Sequence, residues 1–97
     1  MTNASDIETA FDAARHQVRR AVAAGLVNLK GESAREQLEQ LEFRLQTERA
    51  KAIQRGSVDL DWVQKTIRWT VEWAPESDIT ILASLGRIAR LAPPGFS

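Results

Sequence analysis

Apolar residues recur every three or four positions through the first half of this chain, and this spacing limits the possible folds more than any other feature. Such a period places the apolar side chains on one face of an α-helix. The sequence therefore predicts two long amphipathic helices. Their apolar positions are Ile7, Phe11, Ala14, Val18, Val22 and Leu29 in the first, and Ala34, Leu38, Leu41, Leu45 and Ala52 in the second.

Both predicted helices begin with the same local signal. Ser5 precedes Glu8 by three positions, and Ser33 precedes Glu36 in the same way. In such a capping box the serine oxygen accepts from the backbone N–H three residues later, and the glutamate side chain reaches back to the serine N–H. We therefore expect Ser5 and Ser33 to begin the two helices.

Glycines indicate where these helices end. The apolar stripe continues beyond Gly25, so we expect the first helix to span about 6–30 and to end at Gly31. Gly25 would then mark the close approach of another backbone. The second helix is expected at about 33–55, followed by Gly56. A connection of only two or three residues predicts a long antiparallel helical hairpin.

The third segment allows two interpretations. As a helix over about 58–74 it carries two apolar stripes that lie nearly opposite one another. As a strand, residues 66–73 alternate between apolar and polar side chains, which would make an α+β fold with a β-hairpin at about 66–82. We favour the helix. Its stripes are Leu60, Val63, Ile67, Val71 and Ala74, and Trp62, Trp69 and Trp73 with Thr66.

A fourth helix is expected at about 77–92, followed by a loose tail over 93–97 that begins with two prolines. In all four predicted helices, the acidic residues lie mostly in the first half and the basic residues mostly in the second, which is the order that the helix dipole favours. The sequence thus predicts an all-α fold over 1–97. We expect a single four-helix, bundle-like domain built on the long hairpin.

Charge and composition narrow the possible functions and locations. The chain has 13 basic and 13 acidic side chains, whereas nucleic-acid-binding proteins usually have a basic excess. A net charge of zero also weakens the repulsion between copies, which favours self-association. Cysteine is absent, and neither a signal peptide nor an apolar segment long enough for a membrane span is evident. We therefore expect a cytoplasmic protein that does not contact a membrane.

Motifs for catalysis or for cofactor binding are not apparent. His16 lies among arginines without a candidate nucleophile, and we interpret it as a surface residue. The acidic residues of the second segment lie off the apolar stripe, and no Glu-x-x-His pair indicates a metal site. We therefore predict a non-enzymatic protein without cofactor or metal. An enzyme whose polar site forms between subunits is an alternative that needs no linear motif.

Three tryptophans and one phenylalanine suggest an interaction surface. Each indole can bury roughly 150–250 Å², so three exposed together would approach or exceed the largest apolar patch of a typical monomer. Phe43 lies about 180° from the apolar stripe of its helix. We therefore predict a helical interaction module that acts as a homodimer or as the small subunit of a larger assembly. Its candidate contact residues are Trp62, Trp69, Trp73 and Phe43.

A basic cluster on the first helix supports an alternative function. Arg15, His16, Arg19 and Arg20 form the densest group of basic side chains in the sequence. Such a group could bind phosphates, which would make the chain a small regulatory protein that contacts nucleic acid. The helix dipole and the acidic residues of the second helix also explain the cluster without any ligand.

Overall fold

The computed structural model describes residues 3–75 and 80–92, and these residues form four α-helices. They are α1 (Ala4–Ala24), α2 (Arg35–Arg55), α3 (Leu60–Trp73) and α4 (Thr80–Arg90). The predicted all-α, bundle-like fold is confirmed. The alternative β-hairpin is wrong, because residues 66–73 lie within α3. Residues 76–79, which that hairpin would also include, lie outside the described residues.

Helices α1 and α2 pack as the apolar spacing predicts. Every residue of the central stripes is buried, with Phe11 and Leu41 both 0% exposed. Ion pairs between Arg49 and Asp12 and between Arg19 and Glu42 show that the two helices run antiparallel. The buried stripe residues are Ile7, Phe11, Ala14 and Val18 of α1 and Leu38, Leu41, Leu45 and Ala52 of α2.

The first helix is shorter than predicted. It ends at Ala24, and Gly25 is its C-cap with a left-handed φ of 70°. The Gly25 N–H donates to the carbonyls of Ala21 and Val22, which completes the helix end. The expected close backbone approach is wrong too, because no described atom beyond the two neighbouring residues lies within 4 Å of a Cβ built at Gly25. Residues 25–34 form the connection to α2, rather than two or three residues.

The helices also begin differently from the prediction. Asn3 caps α1 by accepting from the backbone N–H of Asp6 at 2.9 Å, and Ser5 lies inside the first turn. Ala34 occupies the N-cap of α2 without a side-chain hydrogen bond, while the Ser33 Oγ accepts from Arg35 N at 3.2 Å. Neither predicted capping box forms, because each helix begins one or two residues away from its serine.

The two apolar stripes of α3 flank its buried face instead of lying on opposite sides. The central buried line consists of Val63, Thr66, Thr70 and Trp73. Thr70 is completely buried, and its hydroxyl donates to the Thr66 carbonyl at 2.8 Å, so its burial leaves no unpaired hydroxyl proton. Two small polar residues thus occupy the middle of a face whose edges are apolar.

Helix α4 packs against both α1 and α3 and covers the core between them. It buries Ile81, Ser84, Leu85 and Ile88. The Ser84 hydroxyl donates to the Thr80 carbonyl at 3.0 Å, which allows this polar residue to lie in the interface. The predicted tail at 93–97 lies outside the described residues. Across the described ranges, each helix is too short or too polar to cross a membrane.

Candidate functional site

The three tryptophans lie largely within the fold. Trp62 packs against Phe11 of α1 with ring centroids 6.1 Å apart. Trp69 and Trp73 meet edge to face at 5.4 Å, and the Arg44 guanidinium of α2 lies 4.2 Å from the centre of the Trp69 ring. Trp73 is 7% exposed, whereas Trp62 and Trp69 are partly buried. Contacts within one copy of the chain therefore provide much of the shelter that the indoles need.

Phe43 has the opposite environment. It lies on the outer face of α2, and 69% of its surface is exposed. A shallow surface depression next to it is lined by residues of α2 itself, among them Glu39, Gln40 and Arg44. The arrangement leaves an aromatic ring among polar side chains, in a position where another molecule can reach it.

The basic cluster of α1 is partly neutralised by α2. Glu42 Oε1 lies 2.8 Å from Arg19 Nε and 3.7 Å from Arg15 Nη2. Arg15 is mostly buried within this contact, while His16 and Arg20 are exposed. Of the four residues predicted to contact nucleic acid, Arg15 and Arg19 therefore take part in the contact between α1 and α2, whereas His16 and Arg20 face solvent.

A cleft of about 290 Å³ lies where the connection between α1 and α2 meets the end of α3. Sequence reasoning did not find this cleft, since it placed residues 25–30 within a helix. The cleft is lined by Asn28, Leu29, Lys30, Glu32, Gln37, Trp69, Glu72 and Trp73.

Asn28 organises the loop that forms one wall of the cleft. Its side-chain oxygen accepts from the backbone N–H groups of Lys30, at 2.9 Å, and of Glu32, at 3.1 Å. Its own N–H donates to the Glu32 carbonyl at 2.7 Å, and Gly31 supplies the left-handed turn with a φ of 81°. Leu29 N–H donates to the Trp73 carbonyl at 3.0 Å, so the loop is attached directly to the end of α3.

Two of the residues that line the cleft carry buried polar atoms without a hydrogen-bond partner in the described structure. These atoms are the indole Nε1 of Trp73 and the side-chain Oε1 of Gln37. An indole nitrogen only donates, and an amide oxygen only accepts. Both atoms are shielded from solvent, so neither is accessible from the cleft, whose walls are the two indoles and the side chains of Lys30, Glu32 and Glu72.

Sequence reasoning missed two further residues of structural importance. Glu48 of α2 is 4% exposed and pairs with Arg55 Nη2 at 2.8 Å. Its position, three residues after Leu45 and four before Ala52, is a detectable signal because it continues the apolar stripe. Gln37 has no comparable signal, since its burial depends on a loop that periodicity does not predict.

Comparison with known proteins adds no evidence about function. No family model matches the sequence, and no significant match was found among curated proteins or solved structures. Within residues 3–75 and 80–92, no group of three or more histidine, aspartate or glutamate side chains is arranged to hold a metal ion. The arrangements described above are therefore the basis for assigning a function.

Proposed function

We propose that this chain is a non-enzymatic helical interaction module that acts as a homodimer or as the small subunit of a larger assembly. The observation that carries the proposal is the position of Phe43, 69% exposed on the outer face of α2. An aromatic anchor surrounded by polar residues is a common feature of protein interfaces. As part of this proposal we place the module in the cytoplasm, which fits its lack of cysteine.

Other exposed apolar side chains support association. Leu29 and Val71 are 55% and 53% exposed, and Val27 is exposed as well. A net charge of zero adds little repulsion between copies. Among the four candidate contact residues, Phe43 now has the strongest support, Trp69 can contribute an exposed edge beside Arg44, and Trp62 and Trp73 serve mainly the interior.

The nucleic-acid alternative has less support. Arg15 and Arg19 already face Glu42, so binding of phosphate at these side chains would compete with existing ion pairs. The zero net charge also provides no general attraction to a polyanion. Nucleic-acid binding with an affinity that falls steeply as the salt concentration rises would support this alternative.

Sedimentation equilibrium of two matched variants tests the proposal. Phe43→Glu places a charge in the proposed contact, and Gln54→Glu adds the same charge at another exposed position of α2. For a homodimer we expect the wild-type chain and Gln54→Glu to associate at micromolar concentration. Phe43→Glu should dissociate at least about tenfold more readily, as expected for a buried aromatic contact.

A different outcome separates the two forms of the proposal. If the wild-type chain is a strict monomer at high micromolar concentration, the homodimer is excluded. The small-subunit form then requires a defined partner that binds the wild-type chain and Gln54→Glu in stoichiometric amount and is lost from Phe43→Glu. Equal behaviour of the two variants in both experiments would contradict the whole proposal.

A further inference from the structure

Most charged side chains of α2 already have a partner within the same copy of the chain. The partnered residues are Arg35 with Glu39, Glu42 with Arg15 and Arg19, Arg44 with Trp69, Glu48 with Arg55, and Arg49 with Asp12. Glu36 and Lys51 are exposed, and within the described part of the chain they take part in no ion pair. These two opposite charges are therefore available to pair with another molecule.

Glu36 and Lys51 lie at nearly equal distances on either side of Phe43. Glu36 comes seven residues before Phe43 and Lys51 eight residues after it, which separates them from Phe43 by about 10.5 and 12 Å along the helix axis. Glu36 and Phe43 line the same shallow depression, and Lys51 lies about 80° around the helix from Phe43. The helix dipole favours an acid near the start and a base near the end, but it does not require these equal distances.

Opposite charges at equal distances from an exposed aromatic ring make this face of α2 self-complementary in one orientation. With two α2 helices antiparallel across a two-fold axis near Phe43, Glu36 of each copy faces Lys51 of the other, and this contact is made twice. In a parallel arrangement, Glu36 would face Glu36 and Lys51 would face Lys51. Such pairs of like charges oppose association, so the charges favour the antiparallel orientation.

The residues in the middle of this face are compatible with the same axis. With the axis between Phe43 and Arg44, each Phe43 ring lies over the depression of the other copy, which Gln40 and Arg44 also line. Gln40 then faces Thr47, whose hydroxyl already donates to the Phe43 carbonyl at 3.0 Å. Each Arg44 guanidinium lies over the Trp69 ring of its own copy, which limits the repulsion between the two arginines at the axis.

From these observations we infer that the partner at the Phe43 face is a second copy of this chain, bound with the two α2 helices antiparallel. Two ion pairs between Glu36 and Lys51 set the orientation, and the two Phe43 rings form the apolar centre. The inference rests on the proposed function, since it specifies the partner and the geometry of the contact proposed there.

Sedimentation equilibrium of charge-reversed variants tests the pairing. Glu36→Lys places a second ammonium group opposite Lys51, and Lys51→Glu places two carboxylates opposite each other. Each variant should weaken association about 3- to 30-fold, because both symmetry-related ion pairs are replaced by like charges. The double variant Glu36→Lys/Lys51→Glu restores both pairs with the charges exchanged and should associate within about twofold of the wild-type chain. Arg20→Glu, a charge reversal at an exposed position of α1, is the control and should leave association unchanged.

Spin labels test the orientation independently. Because the chain has no cysteine, Gln46→Cys and Gln54→Cys each place one label per copy at an exposed position of α2. In the antiparallel arrangement the two labels are separated along the helix axes by about 8 Å at Gln46 and by about 32 Å at Gln54. Dipolar electron paramagnetic resonance should therefore give a much longer distance at Gln54. A parallel arrangement would give similar distances at the two positions.

The results that would overturn the inference leave different parts of the proposed function standing. A wild-type chain that is monomeric at high micromolar concentration excludes a second copy as the partner, whereas the small-subunit form of the proposed function remains. A dimer that is lost from Phe43→Glu but is not restored by the double charge reversal keeps the homodimer and excludes the antiparallel pairing. Similar label distances at Gln46 and Gln54 exclude it as well.

A dimer that persists unchanged in Phe43→Glu contradicts both the inference and the homodimer form of the proposed function. Circular dichroism would verify that each charge-reversed variant is folded. Should one of them fail to fold, the label distances at Gln46 and Gln54 decide the orientation, because Glu36 and Lys51 are unchanged in those chains.

Discussion

The middle of the α1–α2 hairpin and the connection at its end differ in what holds them together. In the middle, the stripes of both helices are buried against each other, and ion pairs such as Arg49 with Asp12 cross their edges. In the connection, backbone groups and the Asn28 side chain provide the hydrogen bonds, and Leu29 N–H donates to α3. The hairpin thus depends on repeated apolar contacts, whereas the connection depends on a few specific polar ones.

This difference determines how each region should respond to substitution. Loss of apolar volume from the hairpin removes burial from the whole domain, so the cost should be large and global. Loss of a polar contact from the connection should cost less and should act locally. The following variants measure these differences, in order of decreasing expected effect.

Phe11→Ala should lower the free energy of unfolding by about 3–5 kcal/mol, because the Phe11 ring is 0% exposed and packs against Trp62. Urea denaturation at low protein concentration measures this loss. Phe43→Ala is the matched control, since the same side chain is 69% exposed there and its removal should cost less than about 0.5 kcal/mol. Similar losses in the two variants would mean that the hairpin does not depend on its buried stripe.

Asn28→Ala should lower the free energy of unfolding by about 1–2 kcal/mol, because two backbone N–H groups lose their acceptor. Hydrogen exchange should accelerate at the amides of Lys30 and Glu32. Asn28→Asp keeps a side-chain oxygen at the same place and should preserve most of the protection. Unchanged exchange in Asn28→Ala would show that the loop does not depend on this side chain.

Gly25→Ala has an effect whose sign distinguishes the observed helix end from the predicted one. At a φ of 70° an alanine is strained, so we expect a loss of about 1 kcal/mol. Gly86→Ala, inside α4, should instead gain about 0.5–1 kcal/mol, because a helix interior favours alanine and no described atom outside the adjacent helix backbone lies within 4 Å of the new Cβ. A gain at both positions in thermal denaturation would support a first helix that continues through Gly25.

Errors in the prediction follow the same division between the two regions. The stripes of α1 and α2 are predictable because several apolar residues in each helix follow the same spacing of three or four positions. The end of α1 was missed because Leu26 and Leu29 continue the apolar spacing beyond Gly25. In the structure, Leu26 accepts from Ala34 N–H at 2.9 Å and Leu29 N–H donates to Trp73, so both belong to the loop.

The candidate sites show the same limits. Exposure of Phe43 could be predicted from its position opposite the stripe of α2. The tryptophans could be recognised as residues that need cover, but their sequence positions did not identify Phe11 and Arg44 as the residues that provide it. The cleft could not be predicted, because Gln37 and Trp73 come from different helices and meet only through the loop around Asn28.

The sequence by itself determined that this protein is helical, that its first two long helices pair along apolar stripes, and that α2 ends at Gly56. These properties follow from periodicity and local backbone preference, which act over a few residues. Only the tertiary structure decided where α1 ends, which face of α3 is buried and where the cleft forms. Those features depend on contacts between distant segments, and the spacing of residues within one helix does not predict the free energy of such contacts.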